Sequence, residues 1–415
     1  MAAGMEADTG PGRLRWALLA LLFVSTVINY LDRQALSILA TTIQLDLGVT
    51  DKAYAHIVQA FLLAYTVAYL LAGRITDWLG SRFSLALFVG WWSVSNLLTG
   101  LARNAFELGA ARFALGLGEP GNYTVGSKVV SERFPPGERG IAYGIYTAGA
   151  MVGATLAPPL IGGVAMVHGW RAAFVVTGAA GLLWLAAWLW LHPREARAER
   201  PAGAVREGVV WGTLLRDRTL WLLLASRAVA DPVWYFYLFW FPKYLNDVRG
   251  MSLAAVASLA WVVYLAADLG SIGGGAISSA LVKRGMAPAR SRMVAMAGAA
   301  MVAPVGFAAA LHPALPLLFA IGSAVVFAHL VYQINIGTLI VDIYPSRVIA
   351  TVFGIIGAGS AAGGMLSAQW VGDLVASGRF DESFVIMAFL HPIAVGLAWF
   401  GLRLRPPAVQ STNSA

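Results

Sequence analysis

Two sets of ionisable residues stand inside stretches that are otherwise apolar. Arg112 and Glu119 fall within RFALGLGEPGNYTVGSKVVSERFP (Arg112–Pro135), and Asp32 and Arg33 fall within NYLDRQALS (Asn29–Ser37). A charge at bilayer depth costs roughly 2.5–3.5 kcal/mol on insertion scales, so such groups face a bundle interior or a watered cavity and take partners. Seven residues separate Arg112 from Glu119. That is about two helical turns, so the two side chains share one face. Pro120 follows at once and has no N–H to offer the Gly116 carbonyl, which predicts a kink or local unwinding beside Glu119. An acid at a backbone break deep in a span is the pattern of an ion or substrate path. The alternative is a structural ion pair that only holds helices together.

Asp32 and Arg33 are adjacent, so they point about 100° apart on a helix, which predicts separate partners. The planar fork of Arg33 suits a carboxylate, and facing a cavity it would serve as an anion receptor. An acid set between burial, which favours its neutral form, and a guanidinium, which favours the anion, can change charge as a cavity opens and closes.

Other polar groups carry two readings each. Trp234, Tyr235, Tyr237 and Trp240 offer stacking faces and hydroxyls for a sugar, with Tyr235 preferred, or else packing and an interfacial belt. Gln333 and Asn335 need amide partners at mid-span, either substrate hydroxyls or neighbouring helices. Asn122 lies one turn from Glu119 and is a further substrate candidate. Arg227 and Asp231 are spaced to pair with each other. Asp268 reads as a brace for helix packing. His329 is a lone histidine, read first as a satisfied core residue and second as a proton carrier.

These groups must be placed by membrane helices. The chain of 415 residues is 59% hydrophobic and 12% charged. Its mean hydropathy is +0.70, a polytopic membrane composition. Twelve runs of spanning length fall at 16–37, 54–73, 83–102, 105–128, 139–164, 172–191, 218–241, 253–281, 292–311, 314–340, 348–375 and 383–404. With both termini cytoplasmic, 20 Lys and Arg lie on the cytoplasmic side and 6 on the other, leaving Arg33, Arg112 and Arg227 inside spans. That asymmetry accounts for the net charge of +8 without nucleic acid. The expected organisation is a tail over 1–15, a six-helix bundle over 16–191, a charged linker over 192–217, a second bundle over 218–404 and a tail over 405–415.

The halves repeat. A shift of 210 residues lays Pro135, Gly144, Gly149, Gly153 and Gly162 on Pro345, Gly354, Gly359, Gly363 and Gly372, and a shift of 202 lays Gly73–Arg82 on Gly275–Arg284. Two related six-span halves predict alternating access around a mid-membrane site. Gly144, Gly149 and Gly153 of the fifth span and Gly354, Gly359 and Gly363 of the eleventh read as close-packing positions.

GRITDWLGSR (Gly73–Arg82) resembles the cytoplasmic signature of the major facilitator superfamily, with Trp78 where members often carry Arg. The resemblance implies a gate in which Asp77 and Arg82 hold cytoplasmic helix ends together. NYLDRQALS, RFALGLGEPGNY, DPVWYFYLFWFPKYL, DLGSIGGGAISS and HLVYQIN resemble the anion:cation symporters, most closely the hexuronate transporters and next the galactonate transporters. The resemblance runs over essentially the whole chain. It implies that Arg33 contacts substrate, that Asp32 and Glu119 take up protons, that Arg112 pairs with an acid, and that Tyr30 and Tyr65 line the site.

The expectation is a twelve-span all-α transporter of the bacterial inner membrane, working as a monomer. It would import a sugar-acid anion, a hexuronate first, by proton-coupled symport, with the proton gradient as energy source and no cofactor. Another organic anion of the same family is the alternative, and a proton-coupled drug exporter the next; Arg33 favours anions over lipophilic drugs. No GxxxxGK[ST], no HExxH and no cysteine occur, which argues against ATP hydrolysis, a metal site and a thiol nucleophile.

Overall fold

The apolar runs fold as helices because a backbone in lipid must satisfy its own hydrogen bonds. A computed structural model describes residues 12–192, 211–251, 259 and 261–404. The predicted tails, most of the linker and the start of the run at 253–281 lie largely or wholly outside the described residues.

In chain order the helices are α1 (Gly12–Ile38), α2 (Ala40–Leu47), α3 (Asp51–Leu79), α4 (Ser81–Leu101), α5 (Ala105–Gly118), α6 (Gly121–Arg133), α7 (Pro136–His168) and α8 (Trp170–Leu191). Then come α9 (Trp211–Arg216), α10 (Arg218–Tyr235), α11 (Phe241–Asp247), α12 (Trp261–Lys283), α13 (Pro288–Val302), α14 (Leu315–Ile343), α15 (Ile349–Ala376) and α16 (Phe380–Arg403). A π-helical turn, Phe236–Trp240, joins α10 to α11, and a 3₁₀ stretch, Ala303–Leu311, extends α13. Among the described residues nine helical segments are long and apolar enough to cross a membrane. Two of the predicted runs outside that set, 105–128 and 218–241, are interrupted helices, which carry Arg112 with Glu119 and Arg227 with Asp231.

The break at Pro120 has the form the missing N–H demands. Glu119 still bonds back to the Leu115 carbonyl, but Asn122 and Tyr123 reach only three residues back, to Glu119 and Pro120. The flanking glycines let the break press on α4. A methyl group on Gly118 would stand 2.8 Å from Trp91, and one on Gly121 would stand 2.1 Å from Phe88.

Glycines also set how the two halves meet. A methyl on Gly73 of α3 would lie 2.2 Å from the Ala350 carbonyl of α15, and one on Gly275 of α12 would lie 2.2 Å from the Gly140 carbonyl of α7. These are the same contact in the repeat, since Gly73 maps on Gly275 and Gly140 on Ala350. Within the halves, Gly149 and Gly153 seat α7 on Phe23 and Val27 of α1, while Gly359 and Gly363 seat α15 on Leu224 and Ala228 of α10. The expected close-packing role of these glycines is what the structure displays.

One end of the bundle is sealed by polar contacts between halves. Asp77 accepts from Lys128 at 2.9 Å through Oδ1, and from the Thr351 backbone N–H and hydroxyl at 2.7 and 2.6 Å through Oδ2. Lys128 also donates to the Ser346 carbonyl at 3.0 Å. Asp342 of α14 sits between Arg139 of α7 at 3.1 Å and Arg292 of α13 at 3.0 Å. Asp77 lies against the first turn of α15, where the unsatisfied N–H groups attract an anion. Arg82 does not take part in this seal: it donates to the Leu189 carbonyl at 2.7 Å, inside its own half.

Candidate functional site

Arg33 stands on the wall of a cavity of about 190 Å³ bounded by α1, α3, α6 and α7 on one side and α10, α12, α14 and α15 on the other. These two sets of helices are images of each other in the repeat. Arg33 donates from Nε and Nη2 to Oε2 of Glu119, at 2.9 and 2.6 Å. The arginine side chain keeps 27% of its surface open, whereas Glu119 is wholly buried behind it. Three rings surround the guanidinium, with centroids at 4.6 Å (Tyr65), 5.0 Å (Tyr30) and 5.8 Å (Phe61). Such cation–π contacts hold the fork in one plane while its remaining N–H groups stay available.

Asp32 points away, as adjacency requires. Its Oδ1 accepts from Asn96 of α4 at 2.7 Å, Asn96 also donates to Thr177 of α8 at 2.6 Å, and Asp32 Oδ2 is buried without a partner. Arg112 makes no ion pair with an acid among the described residues, contrary to expectation. It donates to the backbone carbonyls of Asp32 and Arg33 at 3.2 and 3.4 Å and lies over Phe61 at 5.2 Å. Glu119 sits at the helix break, where its carboxylate turns to Arg33 on α1 instead of to the arginine two turns behind it.

Tyr30, Tyr65, Tyr235 and Gln333 line the cavity. Tyr65 and Tyr69 share a hydroxyl contact at 3.4 Å, as do Tyr123 and Tyr30. The Tyr235 ring lies over Gly364, where a methyl group would come within 2.3 Å of it. Gln333 Oε1 is buried with no partner. Two predicted substrate residues are elsewhere. Asn122 is consumed by α1, accepting from Ser25 at 2.7 Å and donating to Thr26 at 2.9 Å. Asn335 donates to the carbonyls of Gly274 and Val331 at 3.1 and 2.8 Å, tying α14 to α12. Arg227 and Asp231 do pair, at 3.1 Å, and both line the cavity, with Ser360 donating to the same carboxylate oxygen. Asp268 keeps a buried carboxylate oxygen without a partner.

Tyr69, Tyr123, Tyr143, Thr147 and Ser271 line the cavity without having been singled out from sequence. A signal existed for two pairs: Tyr65 with Tyr69, and Tyr143 with Thr147, each four residues apart and so on one helix face.

The contacts of α7 with α1 and of α15 with α10 put the repeat in register at this site. With Val27 matched to Ala228, Arg33 falls on Trp234. The 210-residue shift places Glu119 on His329. The Arg33–Glu119 pair of one half is thus replaced in the other by Trp234 stacked on His329, with centroids 6.0 Å and planes 15° apart.

A sequence profile of the Major Facilitator Superfamily matches residues 22–368. The hexuronate transporter of Escherichia coli (strain K12) is 31% identical over 415 residues, spanning 95% of both chains. The galacturonate transporter of Dickeya chrysanthemi is 34% identical over 279 residues, 63% of this chain and 81% of that one. Among solved structures, the human organic anion transporter MFSD10 superposes with a TM-score of 0.69 at 16% identity, over 94% of this chain and 100% of that one. That likeness is one of fold.

Proposed function

The chain belongs to the Major Facilitator Superfamily, whose members matched here are transporters and not enzymes, and from that premise we propose that it imports a sugar-acid anion, a hexuronate first, by proton-coupled symport. The observation that carries the reading is Arg33, a caged guanidinium on a cavity wall whose anionic partner is the fully buried Glu119. The E. coli and Dickeya relatives named for hexuronate and galacturonate supply the substrate class.

The cycle follows from charge balance. A proton entering from the side away from the sealed end neutralises Glu119, and Arg33 loses its anionic partner. A substrate carboxylate then takes the fork, two N–H groups to two oxygens. The charge facing Arg33 is the same before and after, so closure over the loaded site strands no unpaired guanidinium. Asp32, one residue away and tied to Asn96, is a second proton carrier in this scheme. Arg112 holds the carbonyls of residues 32 and 33, and so sets where both side chains begin.

The sealed end carries Arg139, Lys128 and Arg292, and the positive-inside count supports reading it as the cytoplasmic end of a twelve-span protein with both termini on that side. The described conformation is then closed toward the cytoplasm, in the inner membrane of a bacterium. A cavity of about 190 Å³ is small beside the roughly 300–1,000 Å³ of sites for drug-sized molecules. That size favours a monosaccharide acid over a bulky drug.

The test is uptake of labelled glucuronate into proteoliposomes with and without an inward proton gradient, with unlabelled galacturonate, galactonate and lactate as competitors. Accumulation that needs the gradient and is blocked by uronates supports the proposal. No uronate uptake beside a strong signal for another organic anion retires the hexuronate assignment and keeps the anion receptor. Gradient-independent equilibration alone rejects symport.

A further inference from the structure

The second half's cavity wall holds a histidine pair that the cycle above does not use. His329 on α14 and His391 on α16 are 2% and 0% exposed, and Nδ1 of His329 lies 3.1 Å from Nε2 of His391. His329 lines the cavity with its ring stacked on Trp234. Behind it, His391 meets Tyr332 edge-on at 5.5 Å between centroids, and its Nδ1 is buried without a hydrogen-bond partner. Neither ring has a carboxylate hydrogen-bonded to it among the described residues. Two buried imidazoles with no hydrogen-bonded carboxylate are neutral, the nearby Asp231 being already paired with Arg227, and each then carries one N–H.

The buried end decides which nitrogens hold those protons. An orphaned buried N–H is rarer and costlier than an unused lone pair. His391 therefore leaves Nδ1 bare, carries its proton on Nε2 and donates it to Nδ1 of His329. The proton of His329 is then on Nε2, which has no protein partner among the described residues. We propose that His329 is a substrate-binding residue that presents this fixed N–H to a hydroxyl or ring oxygen of the sugar acid. His391 is the positioning residue that sets its tautomer.

The repeat gives the arrangement its meaning. One half offers a cation and an acid, Arg33 and Glu119; the matching positions of the other offer an aromatic face and a neutral donor, Trp234 and His329. That asymmetry fits a molecule with one anionic end and one uncharged hydroxylated end. The inference rests on the transport reading for its ligand class, but the tautomer can be read without any ligand.

The experiment has two arms. In the first, ¹⁵N-histidine protein without substrate is examined by NMR, the His329 signals being identified among those of the six histidines by their loss in His329→Gln. His329 protonated on Nε2 is expected, and protonation on Nδ1 overturns the proposal whatever the substrate proves to be. In the second, KM for glucuronate uptake is compared for His329→Gln and His329→Asn. The Gln amide nitrogen reaches where Nε2 stood; the Asn amide reaches only toward His391. KM is expected to rise about tenfold more for Asn than for Gln, with kcat little changed. Equal rises in the two variants reduce His329 to packing and overturn the proposal. Absence of glucuronate uptake by the unaltered protein counts against the transport reading, and the NMR arm then decides this one.

Discussion

At the scale of single residues, the partnership of Arg33 with Glu119 organises the site. A carboxyl group that must lose and regain charge can be replaced by its amide without losing its shape. Glu119→Gln and Asp32→Asn are therefore expected to retain substrate exchange across the membrane while losing gradient-driven accumulation. Counterflow and uptake in the same vesicles measure both, and full accumulation by both variants would remove these residues from proton coupling. Arg33 is a different test, because lysine keeps the charge and loses the fork and the stacking on Tyr30 and Tyr65. Arg33→Lys is expected to raise KM by about tenfold or more. A KM within twofold of the original would mean that only a positive charge is needed.

At the scale of elements, breaks and pins matter more than regular helix. Pro120 separates α5 from α6, and the break turns Glu119 toward α1. Pro120→Ala restores the missing donor, so thermal stability is expected to hold or rise while transport falls; unchanged transport would show that the break is incidental. A second pin lies outside the spans, where α2 meets the start of α8. Asp46 accepts from Arg171 at 2.6 Å and from Trp170 at 3.1 Å, and those hydrogen bonds hold its carboxyl below the usual range. A depressed carboxylate adds stability above its unfolded value of about 3.9 and loses it as pH falls through the folded value. The melting-temperature gap between the protein and Asp46→Asn is thus expected at pH 7, should hold down to the unfolded value and should close as pH falls through the lowered folded value. Because the pair is exposed, the gap at pH 7 will be small. A gap that persists in acid would point to packing and not charge.

For the whole molecule, the described conformation is held by contacts at one end. Asp77 joins Lys128 of its own half to the first turn of α15, and Asp342 joins Arg139 to Arg292 across the interface. Each is a partly or fully buried charge whose partner would be stranded by its removal. Asp77→Asn keeps the shape and weakens the anchor. It is expected to shift the population toward the state open at this end, seen as longer distances between spin labels on α3 and α15. Unchanged distances would leave the glycine contacts at Gly73 and Gly275 as the principal lock. Those contacts admit no methyl group at the observed spacing, so the seal depends on shape as well as charge.

Much of this was open to reading in the chain, for reasons that are local. Runs of apolar residues long enough to span are a property of neighbouring positions, and so are the break at Pro120 and the separation of Asp32 from Arg33. The repeat also showed itself in sequence, because close helix contacts admit glycine and little else; Gly73, Gly140 and Gly275 meet across the halves for that reason. What a single helix does not carry is the identity of its partner. Arg33 and Glu119 are 86 residues apart, and only the packing of α1 on the α5–α6 break lets them meet while Arg112 is left to backbone carbonyls. The same holds for the face each polar side chain chooses. A membrane helix is apolar toward lipid and toward its neighbours, so periodicity hardly separates the two, and Asn122 and Asn335 looked as eligible for the cavity as Gln333. Their burial against α1 and α12 was decided by tertiary contacts alone, as was the meeting of His329 with His391, since they stand on different helices.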